Sequence, residues 1–102
     1  SNSDIMLKTG YAPIEQYTKD GKQGPWTDIY SMCASIYYLL TGIRIPVAKE
    51  RKERDTVKKL QVMGVPVSEE QDLAIQKGLS VDASKRYQTV AELYKNIYGE
   101  SI

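Results

Sequence analysis

An all-α fold is what this chain predicts, and three observations predict it. Between Thr27 and Thr41 the apolar positions Ile29, Met32, Cys33, Ile36 and Leu40 recur at helical spacing, while Tyr30, Ala34, Tyr37 and Tyr38 fill a second face. Two later stretches, Ser68 followed by Gln71 and Thr89 followed by Glu92, carry the capping-box spacing, and each opens an apolar helical period. No stretch makes a convincing strand.

Taken in order, residues 1–3 read as a cloning remnant, and residues 4–102 as one domain. Residues 4–26 mix Gly, Pro, Lys and Asp with a few Tyr and sustain no apolar period, which predicts a long ordered loop with one helical turn near Ile14 to Tyr17. Residues 27–41 form the central helix. It is apolar nearly all round, so neighbours are expected on every side, and Thr41-Gly42 followed by Pro46 stops it. Residues 48–63 read as a charged amphipathic helix that buries Val57 and Leu60, pairs Glu50 with Arg54 at i,i+4, and ends at Gly64-Val65-Pro66. Residues 69–79 follow the first capping box and bury Leu73, Ala74, Ile75 and Leu79. Residues 90–98 follow the second and present Val90, Leu93, Tyr94 and Ile97 on one face.

Composition sets limits on function. With 14 basic and 13 acidic side chains the net charge is +1, so neither nucleic acid nor an anionic membrane surface is an expected partner. No run approaches the roughly 20 apolar residues of a membrane span, and the start lacks a signal-peptide pattern. The chain is expected to be soluble and cytoplasmic, which leaves open an anchor elsewhere. Cys33 is alone and histidine is absent, which excludes a disulfide framework, a histidine proton shuttle, a Cys-His nucleophile and most zinc sites. Gly21, Gly24 and Gly42 lack the strand and the spacing of a phosphate-cradling loop, so neither a cofactor site nor a metal site is expected in this chain.

Three motifs lie in a fixed order: Gly10-Tyr11-Ala12-Pro13-Ile14-Glu15-Gln16-Tyr17, then Gly24-Pro25-Trp26-Thr27-Asp28-Ile29-Tyr30-Ser31 at the head of the central helix, then Asp82-Ala83-Ser84-Lys85-Arg86-Tyr87 before the last helix. Together they resemble the helical lobe of a Ser/Thr-type protein kinase, from the late activation segment to the final helix. The second motif is similar to bacterial members. The resemblance covers essentially all 102 residues but only the closing part of a kinase domain. The Gly-rich loop, the phosphate-pairing Lys, the catalytic Asp and the metal-binding Asp of the family are not in this sequence.

The resemblance assigns roles residue by residue. Glu15, which closes the activation segment, and Arg86, which precedes the last helix, are implied to form a buried ion pair, although composition alone would leave both in water. Ile14 departs from the family by replacing the middle Pro of Ala-Pro-Glu, with Pro13 one position earlier; the Glu carries the pairing. Asp28 reads on its own as a helix-start carboxylate favoured by the macrodipole; in a parent kinase the matching residue anchors the catalytic loop. Thr9, Gly10 and Tyr11 fall where the family places its substrate-proximal loop, though Thr9 lies closer to Tyr11 than is usual. Cys33 stands where many kinases carry Gly and reads as a small buried thiol. Tyr30, Tyr37, Tyr38, Tyr87, Tyr94 and Tyr98 read as core aromatics in a chain without Phe. Lys49 to Lys59, with six basic and three acidic residues, reads as a solvated helix face.

As the resemblance implies, the parent would transfer the γ-phosphoryl of ATP to a protein hydroxyl with Mg²⁺, and its partners would be the rest of the kinase domain and its protein substrates. This part would form the substrate-side floor and be inactive alone. Two other readings stay open at this level, a stand-alone helical interaction module and part of a pseudokinase scaffold. An uncovered central helix would also favour self-association or segment exchange between copies.

Overall fold

The computed structural model describes residues 10–18 and 20–99. A loop with a 3-10 turn at Ile14–Gln16 leads into helices α1 (Pro25–Thr41), α2 (Ala48–Glu53), α3 (Glu69–Gly78) and α4 (Val90–Tyr98), and a second 3-10 turn at Ala83–Lys85 joins the last two. No strand occurs among the described residues. Among the described residues no helix is long and apolar enough to cross a membrane.

Helix α1 begins two residues before the periodicity suggests. Pro25 occupies its first turn, where a preset φ helps and a missing N–H costs nothing. The Thr27 hydroxyl accepts the Gly24 N–H at 3.1 Å, closing the start, and Gly42, left-handed at φ 74, closes the end with its N–H on the Tyr38 carbonyl at 2.7 Å. The buried face consists of Ile29, Tyr30, Cys33, Ala34 and Tyr37 and packs against α3 and α4. The expectation of neighbours on every side is corrected here. Met32, Tyr38, Leu39 and Leu40 are exposed, Leu39 to 80%, because α3 and α4 both lie on one flank.

Helix α3 is opened by a reciprocal capping box: Gln71 N–H donates to Ser68 Oγ and Ser68 N–H to Gln71 Oε1, each at 3.1 Å. The Gln71 amide also reaches the Ile97 carbonyl at 3.1 Å and so ties α3 to α4. Thr89 accepts the Glu92 N–H at 3.2 Å to start α4. Ala74, Ile75, Leu79 and Leu93 are buried as the spacing requires, whereas Leu73, Val90 and Tyr94 face out. Tyr98 is exposed as well and stacks on Tyr94 with ring centroids 4.6 Å apart. The aromatic core is therefore smaller than the tyrosine pattern suggests, with Tyr30, Tyr37 and Tyr87 inside.

The expected helix over residues 48–63 stops at Glu53. Asp55 is the physical reason. Its Oδ1 accepts the Val57 N–H at 3.1 Å, a local turn that competes with helical hydrogen bonding, and Arg54 is extended at φ −151, ψ 110. Tertiary bonds then hold the following segment. Tyr37 donates its hydroxyl to the Lys58 carbonyl at 2.8 Å. The Asp72 carboxylate, buried on α3, accepts the Leu60 and Gln61 N–H groups at 2.9 and 3.0 Å. The expected Glu50–Arg54 pair is replaced by Arg51–Asp55 at 3.0 Å.

Helices α1 and α3 approach each other tightly at Gly78 and Cys33. A Cβ added at Gly78 would collide with Cys33 Sγ and lie 3.3 Å from its Cβ and 3.4 Å from Ile29 Cγ2. Cys33 is fully buried, and burial pushes its thiol up to about 12, so it is a packing group without reactive thiolate at neutral pH.

Candidate functional site

The N-terminal loop folds against the head of α1 and the turn that follows α3, and one side chain organises the junction. Arg86 is buried, and all five of its guanidinium N–H groups are used. Nε donates to the Ser80 carbonyl at 2.6 Å. Nη1 donates to Glu15 Oε2 at 2.6 Å and to the Trp26 carbonyl at 3.1 Å. Nη2 donates to Glu15 Oε1 at 3.0 Å and to the Val81 carbonyl at 2.9 Å. The two residues lie 71 positions apart in sequence and meet as a bidentate fork, the arrangement that fixes orientation as well as charge.

Glu15 is placed by its own 3-10 turn, which follows the extended Pro13 and is closed by the Gln16 N–H on the Pro13 carbonyl at 3.1 Å. Thr27 supplies the third contact, its hydroxyl donating to Glu15 Oε2 at 2.9 Å. Thr27 thus closes the helix start and completes the carboxylate's shell with one oxygen. Beneath the fork lies Tyr30, fully buried, with the Arg86 Cζ 4.8 Å from its ring centroid.

Burial raises the Glu15 carboxyl, but hydrogen bonds from Arg86, from its own backbone and from Thr27 outweigh it and hold it below its ordinary value of 4.5. Asp55 is likewise held below its ordinary 3.8: partial burial opposes this, and Arg51 and the Val57 N–H prevail. A carboxyl depressed in the folded state contributes stability above its unfolded pKa and loses it as the pH falls through the folded one. Urea midpoints should therefore hold steady from neutral pH down to about pH 5 and drop below about 4.5. In Glu15→Gln the drop should be shallower; an unchanged acid slope in that variant would remove Glu15 from the explanation.

The remaining expected site residues lie as follows. Thr9 falls outside the described residues. Gly10 is buried, and Tyr11 is half-buried, edge-on to Tyr38 with ring centroids 6.4 Å apart. The Tyr11 carbonyl accepts the Ser31 hydroxyl at 2.8 Å, so the loop is stitched to α1 at a second point. Asp28 is exposed in the first turn of α1, where the macrodipole favours a carboxylate. The structure thus brings Glu15 and Arg86 together and leaves Asp28 apart from them.

The sequence assigned no part in the site to Thr27, Tyr30, Arg51 or Asp72, although it placed Tyr30 in the core. Arg51, expected on a solvated face, is buried, and its guanidinium reaches Tyr30 Oη, the Leu79 carbonyl and both Asp55 oxygens. Its signal was available: an Asp four residues on, and Ala48 three residues back on the same face. Chemically the site is an anchor. Its carboxylate and guanidinium are saturated by one another and by backbone, which suits holding a loop and not moving protons.

No family model and no curated protein matches the chain. A solved structure does, that of PpkA-294 in its apo form, at 35% identity with a TM-score of 0.82, covering 94% of this chain and 34% of that one. PpkA is a bacterial Ser/Thr kinase. The likeness supports a kinase-derived chain. This chain spans about a third of the PpkA-294 length, and the all-helical order of its elements fits a kinase helical lobe.

Proposed function

We propose that this chain is the substrate-side part of the helical lobe of a Ser/Thr protein kinase, in which the Glu15–Arg86 clasp holds the end of the activation segment against the helical base. The bidentate clasp between residues 71 apart carries the reading, supported by the likeness to PpkA-294. A loop that must present a protein hydroxyl to a phosphoryl group needs a fixed position, because catalysis of this transfer is mostly positioning and electrostatic stabilisation. The buried fork supplies that fixity. The ATP- and Mg²⁺-holding residues of the parent would lie outside this sequence, since a chain without His or Phe contains neither a His-Arg-Asp nor an Asp-Phe-Gly motif.

In the parent, the exposed α1 residues Met32, Leu39 and Leu40 would be covered by the rest of the domain; alone, this face favours association between copies. The test begins with the encoded sequence upstream of residue 4. A Gly-rich loop, a strand Lys and the two catalytic motifs are expected there, and the protein carrying them should phosphorylate Ser or Thr in a basic test protein. The purified 102-residue chain should not. Transfer by the isolated chain, or an upstream sequence lacking those motifs, would overturn the proposal.

A further inference from the structure

Arg51 forms a second ion pair, with Asp55, and it is joined to the first through one aromatic ring. Arg51 Nη1 donates to Tyr30 Oη at 3.0 Å and its Cζ lies 5.9 Å from the Tyr30 ring centroid, while Arg86 stands 4.8 Å from the same centroid. The two arginines also divide one stretch of backbone between them. Arg51 takes the Leu79 carbonyl at 2.6 Å, and Arg86 takes those of Ser80 and Val81 at 2.6 and 2.9 Å. Arg51, Asp55 and Glu15 line a single cleft of about 520 Å³ bounded by Ile14, Val81 and Ala83. At the surface Lys49 of α2 sits 5.4 Å from the Tyr17 ring in the loop, a second link between the same two segments.

We propose that Arg51 is a positioning residue for the N-terminal loop: Arg51–Asp55, Tyr30 and Glu15–Arg86 form one unit, so that a change at α2 is felt as a looser hold on Glu15. The Tyr30 ring, the platform for the Arg86 guanidinium, is oriented at its hydroxyl by Arg51. The Leu79 to Val81 backbone is gripped from both sides, so releasing one arginine shifts the acceptors of the other. Arg51 is in turn aimed by Asp55, which takes its Nε and Nη2 at 3.1 and 3.0 Å. The coupling does not depend on what the whole protein catalyses; it makes the segment around α2 a place from which a binding partner could shift the loop.

The test uses two mild substitutions that leave in place both side chains hydrogen-bonded to Glu15, Arg86 and Thr27. Tyr30→Phe keeps the ring and removes the hydroxyl that Arg51 donates to, and Asp55→Asn changes a half-exposed side chain. Trypsin cleavage after the exposed Lys22 is followed under native conditions by mass spectrometry, with cleavage after Lys95 in α4 as the internal control. Each variant should speed cleavage at Lys22 by about fivefold or more and leave Lys95 unchanged, and the double variant should match the faster single one, as members of one unit do. Rates at Lys22 within about twofold of the parent chain, equal acceleration at both sites, or a double variant showing the product of the single effects would each overturn the coupling.

Discussion

Arg86→Ala is expected to lower folding stability by about 3–5 kcal/mol, the largest effect of any single substitution considered for this chain. Three losses combine. The Glu15 carboxylate keeps its buried position with Thr27 as its remaining side-chain partner, the carbonyls of Ser80, Val81 and Trp26 lose their donor, and the Tyr30 ring loses the cation over its face. Against a total of about 5–15 kcal/mol for a domain of this size, that leaves a marginal fold. Arg86→Lys should recover less than half, because an ammonium cannot span both Glu15 oxygens and the flanking carbonyls at once. Urea unfolding followed by far-UV circular dichroism measures both. A loss under about 1 kcal/mol for the alanine variant would mean that the clasp is no stronger than an exposed pair.

Gly78→Ala should lower stability by about 1–3 kcal/mol, through crowding at the α1–α3 contact. Alanine is ordinarily the better helix residue by about 1 kcal/mol, so the sign of the effect is itself diagnostic. Here the new methyl meets Cys33 Sγ, and Cys33 is fully buried and cannot swing into solvent. A swap that adds Cys33→Gly should restore most of the loss, because the small residue then lies on the opposite helix. Thermal melts of the two variants make the comparison, with about 4–8 °C expected per kcal/mol for a chain of this length. A Gly78→Ala melt at or above the parent's would show that the helices separate freely, and failure of the swap would place the strain elsewhere, for instance on Ile29.

Much of the architecture could be read before any coordinates. Ser68, Gln71 and Thr89 announced α3 and α4 because capping is chemistry between near neighbours, visible within four residues. The resemblance located Glu15 and Arg86; composition alone would have left both in water. What stayed hidden depended on tertiary partners. The helix over residues 48–63 had a good amphipathic pattern, yet Asp55 spends its carboxylate on Val57 and Arg51, and Asp72 captures the Leu60 and Gln61 N–H groups from another helix. Nothing in the local pattern names Asp72 as a cap for a distant turn. The half-bare α1 was equally illegible, because periodicity reports that a surface is apolar and is silent on whether this stretch of chain supplies the cover.

The only tryptophan of the chain is Trp26, and its position next to the clasp has a practical consequence. Its carbonyl accepts from Arg86 at 3.1 Å, and its indole N–H is fastened to the Lys22 carbonyl at 3.1 Å. Light absorbed at the red edge of the protein spectrum is therefore emitted from one known spot, the seam between loop and helical base. The molecule carries its own optical gauge for that seam, readable without label or dye.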